Sequence, residues 1–334
     1  MKLTLDKMKH YVIIEIYQTR GAAMQALEKV KSNELIAQQT LSEEMFHRFI
    51  SFIDAKPKTI ESYTRAIRQF FIFTHANGIG NPTRQDILAY RDYLKIDRKP
   101  TTVQNYIIAL RQFFKWTEQE GLYPNVADNI KGAKIQNGHK KDYLTSQQVK
   151  AILAEISRES EIGKRDYAIF ALMLTGGLRA VEVTRADVGD LSTLGDTPVL
   201  YIQGKGQDEK TDYVKIPYPV EQAIRAYLKS RENIHGKQPL FTSTSNNNRG
   251  GRVSTRTISG IVKGRLIKAG YDSERLTAHS LRHTAANLNF INGGTLEETQ
   301  QLLRHSNPNT TMIYLRAMNR AKNPSEGRIA NAIF

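Results

Sequence analysis

Arg179 follows Thr175, Gly176, Gly177 and Leu178 and precedes Ala180, Val181 and Glu182, which puts it at or near a helix start. A helix N-terminus attracts phosphate, and a guanidinium there adds a two-pronged donor. The plain alternative is a surface arginine paired with Glu182. Lys205 lies between Gly204 and Gly206 in a polar turn, where a lysine is ordinarily solvated. His279 and Arg282 are three apart, hence on one helical face and able to act on one ligand. His283 falls on a neighbouring face and suits a buried structural role equally well. Leu302, Leu303, Arg304 and His305 run to the end of a further helix, and Tyr314 follows nine residues after His305. One tyrosine among fifteen is ordinarily packing. Anion binding is the chemistry these residues share, but singly none of them establishes it.

Residues 1–39 contain helix-forming stretches such as 22–37 but no interpretable motif, and are read as an N-terminal helical extension. Thr40, Leu41, Ser42 and Glu43 read as a capping box that opens a helix through Met45, Phe46, Phe49, Ile50 and Ile53, closed by Lys56, Pro57 and Lys58. An internal repeat follows. Residues 59–74 align with 102–117 at an offset of 43, with Tyr63, Ala66, Arg68, Gln69, Phe70, Phe71 and Thr74 recurring as Tyr106, Ala109, Arg111, Gln112, Phe113, Phe114 and Thr117. The apolar residues of each copy fall at helical spacing, so both copies are expected to be amphipathic helices of one small bundle. Arg68 and Arg111 lie just off the apolar stripe in equivalent places, with Arg65 and Lys115 nearby. Residues 40–130 are therefore read as one helical domain, and the basic, weakly apolar stretch 131–142 as an interdomain linker.

The second domain, 143–320, opens with an N-cap signal at Thr145 and a helix to about Ile156. A second apolar helix, 166–174, ends at Gly176 and Gly177. Residues 199–203 and 213–216 alternate as strands joined by a polar turn. Apart from a loop at 246–251, the remainder reads as helix, giving a mainly α fold with a small β-sheet. Residues 321–334 form a tail whose apolar end suits a subunit contact.

The chain carries 48 basic and 33 acidic residues, a net charge of +15 and a pI near 9.7. The excess divides as +1 over residues 1–50, +7 over 51–150 and +7 over 151–334, which suits a polyanion gripped from two sides as well as it suits a solvated basic surface. Residues 249–268 hold six basic side chains and no acidic one, and Ser254, Thr255 and Arg256 open a helix there. Arg256 and Lys263 join Arg65, Arg68, Arg111 and Lys115 as candidate DNA contacts. The absence of cysteine removes disulfides, thiolate nucleophiles and cysteine-ligated zinc. No metal or cofactor is expected. With no apolar run near ~18–20 residues and no basic-then-apolar leader, a cytoplasmic location without membrane contact is expected.

In sequence order, Arg-x-x-Glu, Gly-Lys-Gly in a hairpin, His-x-x-Arg-His, Leu-Arg-His and a tyrosine nine residues later closely resemble the catalytic domain of the tyrosine recombinase, or phage-type integrase, family. The resemblance covers roughly residues 41–320, with the repeated helices similar to the family's core-binding domain, and implies a C-shaped clamp on DNA. It implies Arg179 and Arg282 as the arginine pair, His279 and His305 as their partners, Lys205 as the hairpin lysine and Tyr314 as the nucleophile. The family more often has an acidic residue where Ser280 stands. The implied reaction passes through a 3′-phosphotyrosine, a free 5′-hydroxyl and a four-way junction within a homo-tetramer on double-stranded DNA sites, with accessory DNA-bending or directionality proteins as further partners. Integration or excision of a mobile element is the expected outcome. An invertase or resolvase of the same chemistry is the alternative, followed by a topoisomerase or a DNA-binding protein without catalysis.

Overall fold

The computed structural model describes residues 43–134, 142–204, 207–232, 234–321 and 323–334. The extension 1–39, the residues Thr40 to Ser42 of the expected capping box, most of the basic linker and Lys205 lie outside the described residues. The chain divides into two compact units, Met1–Asn137 and Gly138–Phe334.

The first unit is a helical bundle of α1 (Glu43–Phe52), α2 (Pro57–Ala76), α3 (Arg84–Asp97) and α4 (Pro100–Gln119). The two copies of the repeat are α2 and α4. Lys56 and Pro57, read as a helix stop, also start the next helix: Lys56 is its N-cap and Pro57 its first residue. Proline is suited to that position because its fixed φ is already helical and the N–H it lacks has no partner there. Lys99 and Pro100 open α4 in the same way, so the repeat reaches further upstream than its aromatic residues suggest. Both copies end alike, with the hydroxyls of Thr74 and Thr117 donating to the carbonyls of Phe71 and Phe114.

The recurring phenylalanines build the core. Phe70 meets Phe114 edge-on at 5.9 Å and Tyr90 of α3 at 5.2 Å, while Phe113 meets Phe49 of α1 at 5.4 Å. Each such burial stabilises the fold by about 1.5–3 kcal/mol. Helix α3 carries no signal that the sequence reading used; its N-cap, Thr83, is tied to Asp86 through both backbone N–H and hydroxyl at 2.7 Å. Arg65, Arg68, Arg111 and Lys115 are all exposed on this bundle. Arg65 pairs with Glu61 at 2.9 Å, and Arg68 lies over the Phe46 ring at 5.7 Å.

The second unit is mixed but mainly helical. Its centre is α6 (Glu161–Thr175), preceded by α5 (Ser146–Glu155) and followed by the short α7 (Ala180–Arg185). Helix α6 starts a turn and a half earlier than its apolar run, because the Ser160 hydroxyl accepts the Gly163 N–H at 3.1 Å and stops fraying. Strands β1 (Leu191–Leu194), β2 (Thr197–Ile202) and β3 (Asp212–Lys215) form an antiparallel sheet in that order, with Leu200 opposite both Leu191 and Val214. The sequence reading lacks β1, whose residues are mostly exposed and show no alternation. Helices α8 (Tyr218–Lys229), α9 (Thr255–Lys268), α10 (Ala278–Ile291), α11 (Leu296–Leu303), α12 (Pro308–Ala321) and α13 (Ser325–Ile333) complete the unit.

Helices α8 and α10 pack on α6, whose residues Ala168 to Leu174 are buried almost all round. Asp166 of α6 is buried between Arg165, at 2.8 Å, and Arg265 of α9, at 2.6 Å, and Arg165 also donates to the Thr242 carbonyl at 3.1 Å. Removing one partner of a buried ionic group leaves the others uncompensated in a medium of low polarity. Asp166→Asn is therefore expected to destabilise the full-length chain by about 3–5 kcal/mol, read as a lower midpoint in urea unfolding; an unchanged midpoint would show that the ion cluster is not what fastens α9 to α6.

Candidate active site

The left-handed turn after α6 does the first positioning. Gly177 has φ of +56°, and a Cβ there would meet the Leu303 side chain at 2.9 Å, so any other residue would be strained and would have to displace that side chain. This turn presents Arg179 as the N-cap of α7, as its sequence context suggested. Glu182, one turn on, is fully buried. It accepts the Arg179 backbone N–H at 2.9 Å and the Arg179 guanidinium at 2.7 Å.

Arg282 and His279 lie on one turn of α10, as the three-residue spacing required. Arg282 is 1% exposed, and its guanidinium donates to the carbonyls of Gly177 and Leu303. Burial, and after it the nearby Arg179, push the Arg282 guanidinium below its ordinary pKa. Ser280, the departure from the family pattern, caps α10: its hydroxyl accepts from the Thr277 N–H at 3.0 Å and donates to the Arg275 carbonyl at 3.1 Å.

Arg304 has a left-handed conformation, φ +52°, and ends α11. Its guanidinium donates to the carbonyls of Leu302 at 2.7 Å and Gly176 at 3.1 Å and to the second Glu182 oxygen at 3.0 Å. Burial alone would raise the Glu182 pKa, but Arg304 and Arg179 outweigh it and hold the carboxyl below its usual range. The sequence reading assigns Arg304 no part. The signal available is a charged residue where a helix must stop.

His305 follows directly. Its Nδ1 lies 2.8 Å from the hydroxyl of buried Thr311, and its ring runs parallel to that of Tyr314 (8°, centroids 6.5 Å apart). Burial, then Arg282, Arg179, Arg304 and His279, push the imidazole down to about 4. It is therefore uncharged at neutral pH, with burial and the neighbouring cations opposing its protonation. Tyr314 of α12 is 4% exposed and packs with Ala286, Phe290 and Leu303. Burial raises its phenol above the ordinary pKa, while Arg282 and Arg179 act in the opposite sense. His283 is half-buried, with its ring centroid 5.0 Å from that of Tyr314 and 4.7 Å from that of His279.

Arg179, His279, Arg282, His305 and Tyr314 thus line one cleft of about 490 Å³, together with Glu182, His283 and Arg304. Lys205 lies outside the described residues, but Gly204 before it and Gln207 after it line the same cleft. Lys210, the other lysine of this turn, is held at 2.6 Å by both Asp187 and Asp190; burial works against its charge, but the two carboxylates prevail and raise its pKa. Arg256 is exposed at the start of α9, whereas Lys263 is engaged by Asp272 at 2.9 Å and the Ser273 carbonyl at 2.8 Å. His279 and His283 have the i,i+4 spacing of metal-binding pairs, yet among the described residues no group of three His, Asp or Glu could hold a metal ion. No described helix is long and apolar enough to cross a membrane.

Residues 142–320 match the phage integrase family, and residues 43–123 match the phage integrase N-terminal SAM-like domain. Tyrosine recombinase XerC of Caldanaerobacter subterraneus is 34% identical over 193 residues, which is 57% of this chain and 51% of that protein, so the chain spans about half the length of this relative. Tyrosine recombinase XerC of Pelobacter propionicus is 29% identical over 265 residues, 77% of this chain and 84% of that one. The XerH site-specific recombinase bound to palindromic difH substrate, in a post-cleavage complex, shares the fold with a TM-score of 0.65 at 19% identity, covering 87% of this chain and 92% of that chain. With the catalytic-domain match alone covering more than half of its residues, the chain belongs to the phage integrase family of tyrosine recombinases.

Proposed function

We propose that the chain is a site-specific DNA recombinase that cleaves and rejoins DNA through a covalent 3′-phosphotyrosine at Tyr314. The observation that carries this reading is the convergence of Arg179, His279, Arg282, His305 and Tyr314, from four separate helical segments, on one cleft. A phosphodiester is anionic and repels nucleophiles. Arg179 and Arg282 bind its non-bridging oxygens, most strongly as charge develops in the transition state, where each preorganised donor contributes about 3–4 kcal/mol. The Tyr314 oxygen attacks phosphorus and gives its proton to a cleft histidine. His305, uncharged at neutral pH, is suited to that exchange. The departing 5′-oxygen takes a proton from Lys205. The phosphotyrosyl ester keeps an activated leaving group, so attack by a DNA hydroxyl reverses the step without ATP.

On this reading the substrate is double-stranded DNA, held by both domains as a C-shaped clamp, with Arg65, Arg68, Arg111, Lys115, Arg256 and Lys263 as contacts outside the cleft. The net charge of +15 supports it. Strand exchange proceeds through a four-way junction in a homo-tetramer and serves integration or excision of a mobile element in the cytoplasm. The last helix, α13, supports the subunit contact, because Ile329, Ile333 and Phe334 expose an apolar edge.

The central test is trapping. A library of nicked duplexes with randomised sequence, incubated with the chain and resolved under denaturing conditions, should yield a protein–DNA adduct whose nucleotide maps to Tyr314. The Tyr314→Phe chain should give no adduct yet bind the selected duplex, with affinity falling roughly a thousandfold between about 50 and 200 mM salt. An adduct from the phenylalanine variant would overturn the assignment of the nucleophile, and a flat salt response would contradict the clamp. Lys205→Ala should lose cleavage of ordinary DNA and regain it on DNA with sulfur at the 5′-bridging position, because a thiolate departs without a proton. No rescue would move the acid elsewhere. Deleting residues 327–334 should abolish the tetramer on DNA, measured by sedimentation, before it weakens binding of one protomer; unchanged assembly would remove the tail from the interface.

A further inference from the structure

Arg304 is the cleft residue whose presence the reaction as proposed does not explain. It is a non-glycine residue in the left-handed region, where a side chain costs energy that glycine would not. If the backbone shape alone mattered, a glycine at this position would serve better. The guanidinium instead reaches back across the chain to Glu182 at 3.0 Å and to two carbonyls of the turn that carries Arg179, Gly176 at 3.1 Å and Gly177 at 3.3 Å. One buried carboxylate is thereby shared by two guanidiniums, its Oε1 with Arg179 and its Oε2 with Arg304.

We infer that Arg304 is a positioning residue: it shares the charge of Glu182 so that Arg179 keeps attraction left over for a phosphate, and it fixes the turn that aims Arg179 into the cleft. This deepens the proposed function and rests on it for its catalytic consequence. Without Arg304 the carboxylate has one guanidinium partner, and Arg179 is drawn into a closed ion pair, the geometry a bidentate arginine–carboxylate contact favours. The same cation also bears on His305. Among the described residues, the groups that bear on that imidazole are Arg282 and His279 on α10, Arg179 at the start of α7 and Arg304 beside it, with Thr311 and the phenol of Tyr314 on α12. Asp212 of β3 lines the same cleft. Loss of Arg304 removes one of the positive charges that keep His305 unprotonated.

Arg304→Gly relieves the left-handed backbone while removing the side chain and its guanidinium, so a loss of rate cannot come from backbone strain. The full-length variant should unfold earlier than the parent, because Glu182 loses a partner, yet stay folded at room temperature and bind the selected nicked duplex within about threefold. Its single-turnover rate of adduct formation should fall by about 10- to 100-fold, the usual consequence of a misplaced reacting group. Arg304→Lys should restore part of the rate. Glu182→Gln combined with Arg304→Gly should cost no more than the worse single change, since both act on Arg179. Independently of DNA, the His305 proton resonances should titrate at higher pH in Arg304→Gly than in the parent. An unchanged His305 titration together with an unchanged rate overturns the inference and leaves Arg304 a helix stop. If the parent chain forms no adduct on any duplex, the proposed function fails, and the titration alone decides the electrostatic part of the inference.

Discussion

The site depends on one buried carboxylate. Glu182 has no solvent exposure and is held by Arg179 on one oxygen and Arg304 on the other. A lone charge in such surroundings is prohibitively costly, and so is a cluster of guanidiniums without an anion. Together they are tolerable, and the carboxylate becomes the peg on which two distant segments hang. Arg179 arrives from the turn after α6 and Arg304 from the end of α11, more than a hundred residues later.

The balance is incomplete. Among the described residues the Arg282 guanidinium donates to the carbonyls of Gly177 and Leu303, and dipoles compensate a full charge poorly. Burial and then Arg179 lower its pKa, and burial followed by the same cations lowers that of His305. A cleft with this excess of positive charge favours an anion most when the anion gains charge, which is the condition for stabilising a transition state over a ground state. Desolvation does the rest, because fixed donors need no reorganisation as the reaction proceeds.

The scaffold serves this arrangement with ordinary means. Helix α6 is buried on nearly every side and is tied to α9 through Asp166, so the turn at its C-terminus is anchored rather than free. Gly177 permits the close approach to Leu303 that brings α11, and with it Arg304 and His305, against α7. Tyr314 is packed with Leu303 and Phe290, apolar contact that restrains the phenol beside His305.

The local readings succeeded where the cause was local. The period of apolar residues in 59–74 and 102–117 predicted α2 and α4, and the three-residue spacing of His279 and Arg282 predicted a shared face of α10, because helical geometry is set by neighbours in the chain. The order of Arg179, His279, Arg282, His305 and Tyr314 suggested by resemblance a set of residues that the fold brings to one cleft. Other features were illegible for equally physical reasons. Strand β1 is too short and too exposed to alternate, and α3 lacks the aromatic signature of the repeat. Arg304 looked like a residue between a leucine and a histidine, and Glu182 like the salt-bridge partner of one arginine. Their joint burial, and the lowered pKa of His305, are properties of distance and dielectric between segments far apart in sequence. The amino-acid sequence determined which groups could react; only the tertiary structure decided their charges, because a charge is set by what surrounds it in space.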